Sequence, residues 1–426
     1  MSVERQSPLA ELQAGTPDLT CDVLVVGGGP AGSSSAAHAA RRGLKVILVD
    51  RARFPRHKAC AEYLSPEAAR DLDALGVRAA IEAAGARKLV GFRLVSDDGA
   101  SVCGRFQGAH DFTPYRPFGY ALPRAVLDSI LLSAARDAGV SVLENTALER
   151  LLVGANGLVA GAVLIGEEGR FVVRARALVG ADGLNSRVAR QLGLNRRGRP
   201  ERIALVAHLA GMRGLTDMGE MFAARGWYVG FAPVADGLVN AAMVIPQARG
   251  ERREWESGGR QEIEAFFLAK LRSVPELAGR LKDARIAREV MIAGPFARRA
   301  RAAFAPGALL VGDAADFYDP FTGEGIFAAL RGGALAADAL QAALAAGEAT
   351  RESLAPYARA RRREFLGKWV LERIVGLAAT RPLLMRRFTH RLATHADVAD
   401  LWVGAAGDTV PVRALFAPRH LMALVV

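Results

Sequence analysis

An α/β fold is predicted for this chain of 426 residues: a discontinuous Rossmann-like domain, an inserted antiparallel-sheet domain, and a helical C-terminal region. Three observations predict it. Residues 22–50 read as strand, glycine turn, helix and strand, a complete βαβ unit. Two later apolar runs, 177–179 and 308–311, each stop on a Gly/Asp pair. The stretches between them alternate apolar with polar residues, the pattern of half-buried strands.

Each element follows from its residues. Residues 22–26 are a β-branched run of the kind buried on both faces of a parallel sheet. Residues 27–32 break it, and 30–42 form a small-residue helix that ends in Arg41, Arg42 and Gly43. Basic residues face the negative end of a helix dipole, and Gly accepts the left-handed cap. Residues 44–49 are the second strand. Segments 89–106 and 203–244 alternate and hold turn signals, and 123–138 is a helix returning to the first domain. The predicted division is a disordered stretch over 1–20, a nucleotide domain over 21–88, 119–190 and 295–345, an inserted domain over 89–118 and 191–294, and helices over 346–426.

Composition narrows the function classes. The hydrophobic fraction is 51% and the net charge +12, so a large core is affordable and disorder is excluded as the main state. Three cysteines without CxxC or Cys/His spacing exclude a disulfide scaffold and a zinc cluster, and no metal is expected. Only six of the 56 basic residues are lysines, so the positive charge reads as an arginine-rich composition spread along the chain, and nucleic acid is not expected as a partner. No apolar segment near Met1 resembles a signal peptide, and the most apolar run, 333–347, is too short to span a bilayer. A cytoplasmic protein is the expectation.

Chemistry is carried first by the glycine turn. Gly27, Gly29 and Gly32 form GxGxxG between a strand and a helix. One glycine makes the tight turn, the next admits a pyrophosphate to the backbone, and the third lets helix and strand pack. The phosphates would sit on the unpaired amides of the helix N-terminus. Asp50, with Arg51 beside it, ends the second strand, where an acid accepts hydrogen bonds from a ribose. This pattern alone does not separate FAD from NAD(P). Gly312 and Asp313 close a later strand, where the acid suits a sugar alcohol such as a ribityl chain. A Pro/Gly loop follows, with Pro320 and Gly323. The helix opening at Gly325 and Ile326 then aims its positive end at an anionic reduced flavin.

On these three motifs, with Ser186 and Arg187 after the Asp182 pair, residues 22–340 resemble the FAD-dependent superfamily of aromatic hydroxylases, flavin halogenases and geranylgeranyl reductases. The resemblance implies that Asp50 binds the adenosine ribose, Arg124 contacts FAD, Asp182 lies by the pyrophosphate and the reductant's path, and Asp313 holds the ribityl region. Pro320, Gly323 and Gly325 would shape the loop against the flavin ring. Residues 54–62 are similar to the FPRxKxCG-plus-acid pattern of the geranylgeranyl-reductase branch, with Ala61 where that pattern has glycine. This implies cofactor roles for Lys58 and Cys60, and for Cys60 a part in the chemistry. The segment 226–233 is similar to the strand walling the substrate pocket but lacks the WxWxIP signature of halogenases, which argues against halogenation.

The expected activity is therefore monooxygenation of a bulky hydrophobic substrate (aromatic, polyketide or quinone-like) with reduced FAD and O2. The alternative is C=C reduction in an isoprenoid or quinone, with Cys60 assisting. No second nucleotide motif is evident, so NAD(P)H would bind transiently or a separate donor protein would supply electrons. Trp227, Tyr228, Phe231 and Phe321 are the expected aromatic pocket wall. His208, on an alternating strand, is weighed as a pocket group against a satisfied core histidine. The helix over 357–374, with Phe365, Trp369 and Ile374 among arginines, has two readings: a packed helix with a solvated basic face, or a peripheral contact with an anionic membrane.

Overall fold

The computed structural model describes residues 18–199, 201–247 and 259–420. Strand β1 (Asp18–Val26) lies inside an eight-stranded sheet, parallel to β2 (Val46–Val49) on one side and to Gly169–Gly180 on the other. Ser141–Leu143 and Ala308–Leu310 extend the parallel core outward. Helices or strands cover both faces, which is why Val23 to Val26 and all of β2 are buried side by side without alternation. The stretch predicted to be disordered lies outside the described residues up to position 17. Asp18, Leu19 and Thr20 depart from that prediction: they continue β1 against Val172, Val173 and Arg174. Their side chains are exposed, so composition reads as loop while the backbone is held by a partner strand.

Helix α1 (Pro30–Arg41) begins at the proline and ends one residue before the Arg42–Gly43 stop. Its small residues face the helix Gly325–Ala345. Ser34 Oγ donates to the Leu330 carbonyl at 2.7 Å, and a Cβ on Gly333 would come within 2.6 Å of Ser34 Oγ. The alanine-rich composition of both helices thus serves a close backbone approach.

The inserted sheet has seven strands, in the order Arg285–Ala293, Arg202–Ala210, Leu238–Pro246, Tyr228–Pro233, Gly219–Ala223, Gly91–Val95 and Ser101–Arg105. All pairs are antiparallel except Gly219–Ala223 with Gly91–Val95, which run parallel. One face packs Leu205, Val229 and Met243 against Phe267 and Leu271 of the helix Arg260–Arg272. The other face looks toward the nucleotide domain.

The C-terminal region contains the helices Arg351–Ala378, Pro382–Ala393 and Ala396–Ala406. In the first, Phe365 and Arg361 are buried, with Arg361 paired to Asp316. The face bearing the expected Phe365 and Trp369 is therefore largely the packed one, and the outward ridge is Leu366, Val370, Ile374 and Leu377. Among the described residues no helix is long and apolar enough to cross a membrane.

Gly32 sets how tightly α1 docks on β1. A Cβ there would stand 1.7 Å from the Gly27 carbonyl oxygen. Gly32→Ala should lower stability by at least about 2 kcal/mol through overpacking, read as a fall in thermal midpoint; an unchanged midpoint would contradict the packing described.

Candidate FAD and substrate site

The glycine turn, the segment 58–61, the inserted sheet and the loop 320–325 enclose a cavity of about 180 Å3. One end is polar. The N–H of Gly28 donates to Asp50 Oδ2 at 2.7 Å, so the acid at the end of β2 orders the turn itself. Beyond the turn, a Cβ on Gly29 would lie 3.6 Å from Arg56 Nη2 and 3.7 Å from Arg124 Nη2. Asp128 holds both guanidiniums, accepting Arg124 at 2.7 and 2.8 Å and pairing with Arg56 at 3.1 Å. Free helix amides flanked by two oriented arginines fit a pyrophosphate, so the residues present suit FAD. Arg56 was not among the residues singled out from sequence; its only signal was its place between Phe54 and Lys58 in the branch-like segment.

Lys58, Cys60, Arg124, Asp313, Pro320, Gly323, Gly325 and Ile326 all line this cavity. Burial pushes the Lys58 ammonium pKa down, aided by Arg124 and opposed by Asp313. Burial likewise raises Asp313 against the pull of Lys58 and Arg124. Gly312 stands behind Asp313, against Ala31 of α1. Gly323 has φ +75°, and a Cβ on it would meet the Tyr63 ring at 2.7 Å, so the loop's shape requires glycine there. Arg51 is exposed and outside the cavity lining, whereas Arg56 supplies the charge beside the turn. Asp182 turns its carboxylate into the helix Arg187–Gln191, accepting from Ser186 Oγ at 2.5 Å and from the Arg187 and Val188 amides. Its neighbours Ala181, Gly183 and Leu184 form the wall instead.

The aromatic wall expected from sequence divides. Tyr228 lines the cavity and donates to Asp319 Oδ1 at 2.6 Å. Trp227 and Phe231 are a correction: period two places them on the opposite face, in the core under the helix Arg260–Arg272. Phe321 packs edge-on to Tyr228, with ring centroids 4.9 Å apart, and lines a neighbouring apolar cavity. His208 is on the same face as the cavity-lining Ala204 and Val206, but its Nε2 is 2.5 Å from Glu62 Oε2 and it is outside the lining.

Three buried acids were missed or given no role in the sequence reading. Glu62 is fully buried and accepts from the Arg124 amide, Arg288 Nη1, Asn240 Nδ2 and His208. Burial would raise its pKa; His208, Arg288 and the amide outweigh that and hold it below the usual carboxylate range. Glu324 lines the cavity beside Asp408, which follows the helix Ala396–Ala406, and its Oε2 accepts from Thr322 Oγ1 at 2.9 Å. Burial and the Asp408 charge raise the Glu324 pKa well above the usual carboxylate range, and its Oε1 is buried without a hydrogen-bond partner. Burial pushes Asp408 up to about 7. Glu372, which also lines the cavity and is ion-paired to Lys368, is raised by burial to about 7. Glu324 sits between two glycines in a motif visible in sequence, but nothing local indicates that Asp408 meets it.

Two outcomes are expected. Gly29→Glu should fold and lose FAD, because the side chain would occupy the space between the two guanidiniums; the visible flavin spectrum of the purified variant checks it, and full FAD occupancy would refute the assignment. The folded Glu324–Asp408 pair and Glu372 bind protons that the unfolded chain releases near pH 4, so stability should fall as pH rises from about 4 through about 7. Thermal midpoints measured from about pH 5 to about pH 8 should decline, and Asp408→Asn should flatten the decline.

Comparison with known proteins agrees with this geometry. Residues 20–368 match the family model described as FAD binding domain. The digeranylgeranylglycerophospholipid reductase of Methanothrix thermoacetophila is 32% identical over 83% of this chain and 85% of its own. The menaquinone reductase of Mycolicibacterium smegmatis is 30% identical over 74% and 75%. Among solved structures, the myxobacterial chondrochloren halogenase is 26% identical with a TM-score of 0.74, covering 83% of this chain and 82% of that one. The chain belongs to the FAD-binding-domain family and is an FAD-dependent oxidoreductase of the superfamily that includes geranylgeranyl reductases and flavin halogenases.

Proposed function

We propose that this oxidoreductase reduces carbon–carbon double bonds in a polyprenyl chain carried by a lipid or quinone, with FAD reduced by NAD(P)H or by a separate donor protein. The observation that carries this reading is Glu324, a buried carboxyl of the loop 320–325 in the wall of a largely apolar cavity, whose pKa burial and the Asp408 charge raise well above the usual carboxylate range. The names of the two reductase relatives support it. Monooxygenation, the first expectation from sequence, has less support, since those same relatives are named as reductases.

Saturating a double bond adds one hydride and one proton. FAD, which the Gly27–Gly32 turn with Arg56 and Arg124 would hold, would supply the hydride when bound and reduced. The inserted sheet presents Ala204, Val206, Met221 and Val244, which hold a hydrocarbon chain and exclude water. Glu324 delivers the proton to the second alkene carbon. The charge left on the Glu324–Asp408 pair is offset by Lys368, whose ammonium already pulls both carboxyl pKa values downward. Cys60 is a second polar group on the cavity, its Sγ accepting from the Glu62 amide at 3.3 Å.

The test is anaerobic. Pre-reduced enzyme mixed with a polyprenyl lipid should reoxidise without oxygen and release saturated product. Glu324→Gln should reduce its flavin at the wild-type rate yet reoxidise roughly 100-fold or more slowly. Hydroxylated product with stoichiometric oxygen uptake would sink the reading, as would unchanged reoxidation in the variant.

A further inference from the structure

A second cavity, of about 440 Å3, opens beside the first and shares Asp313, Phe317, Gly325 and Glu372 with it. Its outer wall is a small three-stranded sheet in which Asn195–Arg197 pairs antiparallel with Arg298–Ala300. The register sets Arg196 opposite Arg299 and Arg197 opposite Arg298. Like charges directly opposed across strands are destabilising, and two consecutive such pairs compound the effect. Arg199 and Arg373 line the same cavity.

Of the other charges there, Arg361 pairs with Asp316 and Lys368 with Glu372, while Asp313 is under the charges of Lys58 and Arg124. Among the described residues, no carboxylate lies within ion-pair distance of Arg196, Arg197, Arg199, Arg298, Arg299 or Arg373, although Arg299 stacks over Trp369 at 5.5 Å. Burial and then the charges of Arg197 and Arg190 push the Arg298 guanidinium pKa down, and Glu201 offsets them only in part. Among the described residues, the local sheet therefore gathers more positive charge than its ion pairs match.

We propose that this arginine-lined cavity binds the phosphate group of a molecule whose other end reaches the flavin cavity. Guanidinium forks match phosphate oxygens in pairs, and the volume is that of a small-ligand site. In the proposed reaction two molecules carry this chemistry: a polyprenyl substrate with a phosphate head, and a nicotinamide nucleotide that reduces FAD. The sources are thus part of the reading above, while the site rests on the arginine register alone.

The test uses holoenzyme and the double variant Arg196→Gln/Arg299→Gln, which removes one opposed pair at a solvent-exposed edge. Inorganic pyrophosphate, compared with chloride at equal ionic strength, should raise the thermal midpoint of wild type by about 2 °C or more. The variant should lose most of that rise, and an equal rise in both proteins would overturn the proposal. Kinetics then separates the sources. A KM increase of about tenfold for a prenyl diphosphate, with the matching prenyl alcohol unchanged, assigns the lipid head. An increase for NADPH with NADH unchanged assigns the nucleotide, and no change in either pair overturns the proposal. Because the thermal arm needs no turnover, loss of the pyrophosphate effect in a protein that saturates no prenyl substrate would refute the reductase reading and leave the site standing.

Discussion

One buried carboxylate, that of Glu62, joins the two domains. It follows the cofactor segment 58–61, and its partners come from both sides: the Arg124 amide from the nucleotide domain, and His208, Asn240 and Arg288 from the inserted sheet. Glu62 has φ 58°, a left-handed conformation that a side chain adopts at some cost, so the surrounding contacts hold it there. Removing such a charge would strand its buried partners, a loss of about 3–5 kcal/mol. Where the cavity lies therefore depends on a contact between domains far apart in sequence. The left-handed backbone falls at Glu62, one residue beyond Ala61, so alanine in place of the branch's glycine is accommodated.

The cavity itself results from residue size on one face of a sheet. Toward the flavin side the strands present Ala204, Val206, Gly230, Ala242 and Ala293. Toward the helix Arg260–Arg272 the alternate positions are Leu205, Phe231, Met243 and Ile245, which fill their space. Small residues facing a neighbouring domain leave a void that close packing would otherwise close. Gly230 adds to this space, and a Cβ there would meet the Met221 side chain first, at 3.2 Å.

Electrostatics then divide that space. Arg56, Lys58 and Arg124 gather at the start of α1, where phosphate is expected, while Glu324, Asp408 and Glu372 gather at the loop end, where burial raises carboxyl pKa values. The arginine surplus that composition presents as diffuse is locally concentrated by strand pairing around Arg196 and Arg298. Spread along the chain and clustered in space are compatible descriptions, because register is a tertiary property.

The sequence by itself determined the βαβ unit, the strand-end acids, the three cofactor motifs and most of the cavity's cofactor side. These are local: glycine turns, strand ends and helix starts are written in consecutive residues and act within one or two turns of chain. Tyr228 and the 58–60 segment, expected at the site, line the cavity. Only the tertiary structure decided which face of the strand Trp227 and Phe231 would occupy, that His208 would serve Glu62, that Asp182 would turn into its own helix, and that Glu324 would lie beside Asp408 from 84 residues away. Facing and pairing depend on what packs opposite, and for a strand a shift of one residue reverses every side chain.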